Sequence, residues 1–117
     1  MKEYDYEVRR GETFEGCFWV IDTDDQPIKL LEQGFKIKGE IRPTKEDTIK
    51  TATFSCAIDD TGCVQYVLPA SITKTIEPGL YEYDIALYQD YPTERVVKYY
   101  IGGKFHVKKA VTNALVD

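Results

Sequence analysis

The sequence has one histidine, three cysteines and no apolar run approaching the roughly 20 residues that a membrane helix needs. Each shortage excludes something. His106 alone cannot build the usual three- or four-ligand zinc sites. It lies between Phe105 and Val107, both expected to point inward, so it should face solvent. Cys17, Cys56 and Cys63 are an odd count at unpatterned spacing, which argues against a disulfide framework. Cys56 and Cys63 flank one hairpin, but if Ile58 faces Val64 their side chains point to opposite faces. All three are expected as free thiols, in keeping with synthesis in a cytoplasm. The polar start Met1-Lys2-Glu3-Tyr4-Asp5-Tyr6 has no signal-peptide core. Basic residues are outnumbered: 15 Lys and Arg stand against 20 Asp and Glu, a net charge of −5. Phosphate backbones and anionic membrane surfaces both call for clustered positive charge, so no nucleic-acid or membrane partner is expected. The acidic turns, Asp22 with Asp24 and Asp25, and Asp59 with Asp60, lack the calcium-loop signature, and Asp in turns has its own hydrogen-bonding role. No catalytic residue, metal or cofactor is expected.

What fills the 117 residues is a series of short β-patterned runs. The clearest covers residues 35–42, where Phe35, Ile37 and Ile41 alternate with Lys36, Lys38, Glu40 and Arg42. A period of two sets one face in a core and the other in water. Further strands are expected at residues 4–8, 13–22, 51–58, 64–68, 80–89 and 95–111. Turns rich in Asp, Gly and Pro separate them at 23–27, 59–63, 77–79 and 90–94, with a charged loop at 43–50. Residues 69–76 have room for one helical turn. In the closing hairpin, pairing Gln89 with Arg95 sets Val97, Tyr99, Ile101, Phe105 and Val107 inward with no register slip. Nine tyrosines suit strands. The expected fold is all-β: an immunoglobulin-like antiparallel β-sandwich of about seven to eight strands. Residues 1–111 would form one domain and residues 112–117 a C-terminal tail. The expected core is Phe14, Phe18, Val20, Phe35, Ile37, Ile41, Phe54, Ile58, Tyr66, Leu68, Tyr83, Ile85, Leu87 and Val107.

One candidate site emerges from the alternation. If Phe14, Phe18 and Val20 point inward, then Cys17, Trp19 and Ile21 point out, and on the neighbouring strand Cys63 and Val67 do the same. An apolar outer face on adjacent strands marks a contact surface. The competing reading returns Trp19 to the core through a bulge, or covers it with a terminal segment.

Several distinct fragments follow one another in order along nearly the whole chain. They are Arg10-Gly11-Glu12-Thr13-Phe14, Pro27-Ile28-Lys29-Leu30, Ile41-Arg42-Pro43 and Leu68-Pro69-Ala70. Next come Pro78-Gly79-Leu80-Tyr81-Glu82-Tyr83-Asp84-Ile85, Gly103-Lys104-Phe105-His106-Val107 and Val111-Thr112. With them the chain resembles a family of small phage virion proteins, and is similar to the N-terminal domain of baseplate upper proteins from phages of Gram-positive bacteria. The resemblance implies an immunoglobulin-like sandwich that is no enzyme. It implies a chain made in the host bacterial cytoplasm and located in the virion. Its partners would be other virion proteins, in a tail, baseplate or fibre adaptor or a head accessory, or further copies of itself. The alternative is a carbohydrate- or host-surface-binding module that stacks sugars on Trp19, Tyr88 or Tyr100.

Overall fold

The computed structural model describes residues 2–44, 50–90 and 94–112. The alternating run becomes β4 (Lys36–Arg42), the strand next to one edge of the larger sheet. It pairs antiparallel with β8 (Gly79–Asp90), which sets Ile37 opposite Leu87 and Ile41 opposite Tyr83 on the buried side. β8 in turn pairs with β9 (Arg95–Lys108). Two short N-terminal strands, β1 (Lys2–Glu3) and β2 (Tyr6–Arg9), run parallel to β9 along its outer side. The opposite edge is β5 (Ala52–Thr53), paired with β4.

The smaller sheet is antiparallel throughout, in the order β3 (Phe14–Phe18), β7 (Val64–Leu68) and β6 (Ser55–Ile58). The single strand expected at residues 51–58 is divided between the two sheets. The division falls at Phe54, whose N–H donates to the Gly39 carbonyl at 2.9 Å while its ring is buried in the core. The strand order, with an N-terminal segment parallel to the last strand and β3, β7 and β6 in the facing sheet, is that of an immunoglobulin-like sandwich. Nine strands are present among the described residues. Between β7 and β8 lies α1 (Ala70–Thr73), the expected helical turn. The corner after it carries a further mark of the fold: the Tyr81 hydroxyl, near the start of β8, donates to the Glu77 carbonyl at 2.6 Å.

The core between the sheets is aromatic. Tyr6, Phe14, Phe54, Tyr66, Tyr83 and Phe105 meet mostly edge-on or tilted, with Tyr6 and Phe14 centroids 4.8 Å apart. Such pairs contribute about 0.5–1.5 kcal/mol each beyond the area they bury. A second cluster of Leu30, Val64 and Leu87 fills one end, flanked by half-buried Phe18, Val20, Phe35, Ile37 and Ile58. Every residue of the expected core is buried or half-buried. Val8, from the first expected strand, and Leu30 and Ile76, from outside the expected strands, join it. Thr73 is fully buried and pins α1 to the first bend: its hydroxyl donates to the Glu12 carbonyl at 2.8 Å and accepts from the Gly11 N–H at 3.1 Å.

The closing hairpin departs from expectation. Ile85 pairs with Ile101, but Ala86 pairs with Tyr99, so Tyr100 is an extra residue in β9. This bulge reverses the faces beyond it. Tyr100 turns in and stacks on Phe18 at 6.3 Å, and Val97 and Tyr99, expected inward, stand 45% and 57% exposed. The tip of this hairpin at 91–93, the charged loop at 45–49 and tail residues 113–117 lie outside the described residues.

Candidate interaction surfaces

The outer face of the smaller sheet is fixed by register. Glu15, Val67 and Ser55 stand in one row across β3, β7 and β6, and Cys17, Gln65 and Ala57 in the next. Cys17 is exposed and Val67 half-buried, both outward as expected. Cys63 is a correction. It was expected to add exposed apolar surface, but only 4% of it is exposed. It follows Gly62, whose positive φ of 88° closes the hairpin, and that hairpin lies hard against the segment at Ile28. A Cβ at Gly62 would come within 2.2 Å of the Ile28 carbonyl oxygen. Burial, then the adjacent Cys17 thiol and Asp59, push the Cys63 thiol pKa up.

Polar Glu15, Ser55 and Gln65 surround Val67, so the apolar exposure gathers at the end of β3. β3 ends at Phe18, and the chain then turns Val20 toward the second core cluster while Trp19 and Ile21 stay out. Trp19 is 49% exposed and Ile21 is 55% exposed. The Trp19 indole N–H reaches the Thr61 hydroxyl at 3.5 Å, and Ile21 forms a lone antiparallel bridge with Pro27. The reading that placed Trp19 in the core does not hold.

The three rings considered as sugar platforms differ. Trp19 keeps half its surface in solvent. Tyr88 lies under the Arg95 guanidinium, 4.6 Å from the ring centroid, and Tyr100 is committed to Phe18. Alternation had missed a second exposed surface, Val97 and Tyr99 on β9. Residues 96, 97, 99 and 100 are all Val or Tyr, so either face reads as apolar and only the bulge decides. A groove of about 500 Å3 is lined by Arg10, Gly11, Lys74 and residues 109–112. Its one guanidinium is already engaged, donating to the Lys74 carbonyl at 2.8 Å and sitting 3.6 Å from Glu77.

The polar residues weighed for chemistry have structural partners. Asp59 Oδ1 accepts from the Thr61 N–H at 2.9 Å, the Thr61 hydroxyl at 2.6 Å and the Cys63 N–H at 3.0 Å. These bonds hold its carboxyl below the usual range, the Thr61 hydroxyl contributing most. Asp22 Oδ1 accepts from the Asp24 and Gln26 N–H groups. His106 Nδ1 lies 3.8 Å from Glu7 Oε1. Lys104 binds Glu82 at 2.7 Å across the β8–β9 ladder, and Lys98 stands opposite Leu87. Among the described residues, no group of three or more His, Cys, Asp or Glu side chains could hold a metal ion.

The site and the sheet order together define an immunoglobulin-like β-sandwich with apolar groups exposed at one strand end and along one sheet edge. No protein-family model matches the chain, and no curated protein does. Among solved structures it is similar to a family 123 glycoside hydrolase from Clostridium perfringens, described for glycolipid glycan hydrolysis, at 12% identity and a TM-score of 0.43. That match covers 95% of this chain and 23% of the hydrolase, and at this level it supports no assignment of activity.

Proposed function

We propose that the chain is a non-enzymatic structural protein of a phage virion that binds other virion subunits, as a tail, baseplate or fibre adaptor or as a head accessory. The phage setting rests on the ordered sequence fragments and on the sandwich fold that the resemblance implies. The observation that carries the binding role is the adjacent exposure of Trp19 and Ile21 at the end of β3. Large apolar side chains left in water at the middle of a surface are the usual anchors of protein interfaces. Cys17 and Val67 would form the rim of that contact. A carbohydrate- or host-surface-binding module is the second reading, favoured by the exposed Trp19 ring, whose face suits stacking on a sugar. Virions assembled with wild-type or Trp19→Ala chain and analysed by quantitative mass spectrometry test the first reading. The wild-type chain is expected in purified particles and the variant is expected to be depleted. Absence of the wild-type chain from particles, together with glycan-array binding, would favour the second.

A further inference from the structure

The β8–β9 ladder outruns its neighbours. β9 pairs with β8 along its length, but its other side is taken only by β1 at Ile101 and Gly102 and by β2 at Phe105, His106, Val107 and Lys108. Among the described residues, no strand or loop bonds to that side over residues 95–100. An open edge offers amide and carbonyl groups at ladder spacing. Its outward residues are Arg95, Val97 and Tyr99, the last two among the most exposed apolar groups of the molecule.

We infer that this edge pairs antiparallel with the same edge of a second copy, about a two-fold axis at Val97. The geometry selects that centre. A continuous sheet with both outer faces on one side sets residues of equal parity opposite each other, so the axis passes through a residue. Centred on Lys98, the two lysines would face each other directly, which is unfavourable, and Arg95 would meet the second copy's Ile101, already paired with β1. Centred on Val96, the pairing would cover only residues 95–97 of each copy. Centred on Val97, it uses residues 95–99 of both copies and stops where β1 begins. Val97 then meets the second copy's Val97, Val96 meets Lys98, and Arg95 meets Tyr99. The last pair sets a cation beside an aromatic ring on the outward face, where Arg95 already lies against Tyr88 while Asp90 holds its Nε at 2.7 Å. Lys98 and the Tyr100 bulge blunt other registers, as edge charges and bulges do. An edge this short falls below the ~1,200 Å2 of a permanent interface, so the dimer is reversible. The inference goes beyond the virion reading and stands without it.

Sedimentation velocity from micromolar to millimolar concentration tests it on wild type, Val97→Lys, Val97→Glu and a one-to-one mixture of the two variants. Val97 is nearly half exposed, so both variants should melt with the wild type. Wild type is expected to dimerise with rising concentration and each variant to stay monomeric, because like charges then meet at the axis. The mixture is expected to dimerise again. A wild type that stays monomeric throughout overturns the inference, as do variants that dimerise like wild type or a mixture that stays monomeric. Trp19→Ala is expected to keep this dimer. If it abolishes the dimer while the Val97 variants retain it, self-association belongs to the Trp19 surface, and the edge pairing is wrong while the binding role of Trp19 survives.

Discussion

Adding one methyl group at Gly16 should strain the joint between the two sheets. Gly16 faces Tyr66 in the β3–β7 ladder, and a Cβ there would lie 2.3 Å from Tyr66 Cε2, 2.4 Å from Cζ and 2.7 Å from the hydroxyl oxygen. Tyr66 cannot easily withdraw. It is buried among Phe14, Phe18 and Phe54, and its hydroxyl meets the Tyr6 hydroxyl of the opposite sheet at 2.7 Å. Overpacking of this kind costs about 1–3 kcal/mol. Breaking the Tyr6–Tyr66 bond adds about 0.5–1.5 kcal/mol. The smaller unfolded-state entropy of alanine offsets about 0.4–1 kcal/mol. The net expectation for Gly16→Ala is a loss of about 0.5–4 kcal/mol, a fall in Tm of roughly 2–20 °C for a domain of this size. Gly79→Ala is the control. Its Cβ would meet Tyr81 at 3.7 Å or more, an ordinary contact, so its melting should match or slightly exceed wild type. Scanning calorimetry of the three proteins decides. A Gly16→Ala chain that melts at or above wild type, or a Gly79→Ala chain that falls as far, would refute this account of the packing.

Two further expectations concern titrating groups. Cys17 is exposed, whereas burial pushes the Cys56 thiol up to about 11 and also raises that of Cys63, so Ellman's reagent at pH 8 should label one thiol quickly and two only on unfolding. A count of one in the denatured, unreduced protein would contradict this. Glu40 is a partly buried carboxylate whose pairing is acid-sensitive. Burial raises its pKa, but the Lys38 hydrogen bond and charge, and Arg42 at 2.6 Å, outweigh it and hold the pKa below 4.5. A depressed carboxyl stabilises the fold above the unfolded value and loses that contribution as pH falls through the folded value. Wild type should therefore lose Tm more steeply than Glu40→Gln below pH 4.5, and parallel curves in a pH-melting series would count against it.

The strands were legible because alternation is a local signal. Ile37 and Ile41, Tyr66 and Leu68, and Tyr83, Ile85 and Leu87 announce their buried face by spacing alone. What stayed hidden depends on contacts distant in sequence. Residues 51–58 keep one period through the change of sheet at Phe54, so nothing local marks the crossing. Cys63 is buried in a hairpin whose Gly62 lies against a segment more than thirty residues away in sequence, at Ile28. The β9 bulge was unreadable because Val96, Val97, Tyr99 and Tyr100 look apolar on both faces. At the candidate site, alternation placed Trp19 and Ile21 outward but left open whether something covers Trp19. The end of β3 at Phe18, with Val20 turned inward beyond it, keeps Trp19 out of the core, while the tail at 113–117 lies outside the described residues.

Trp19 is the proposed anchor of a contact with another virion subunit. Trp19→Ala, followed by thermal melting and virion incorporation on the same preparation, tests it most directly. Because half the ring is already in water, the stability loss should stay under about half of the 3–5 kcal/mol that truncating a core aromatic costs. Losing an interface anchor costs about 2 kcal/mol or more in binding, roughly 30-fold in affinity. A folded variant with a modest fall in Tm, depleted from particles, is expected. A folded variant incorporated as fully as wild type would contradict the anchor role.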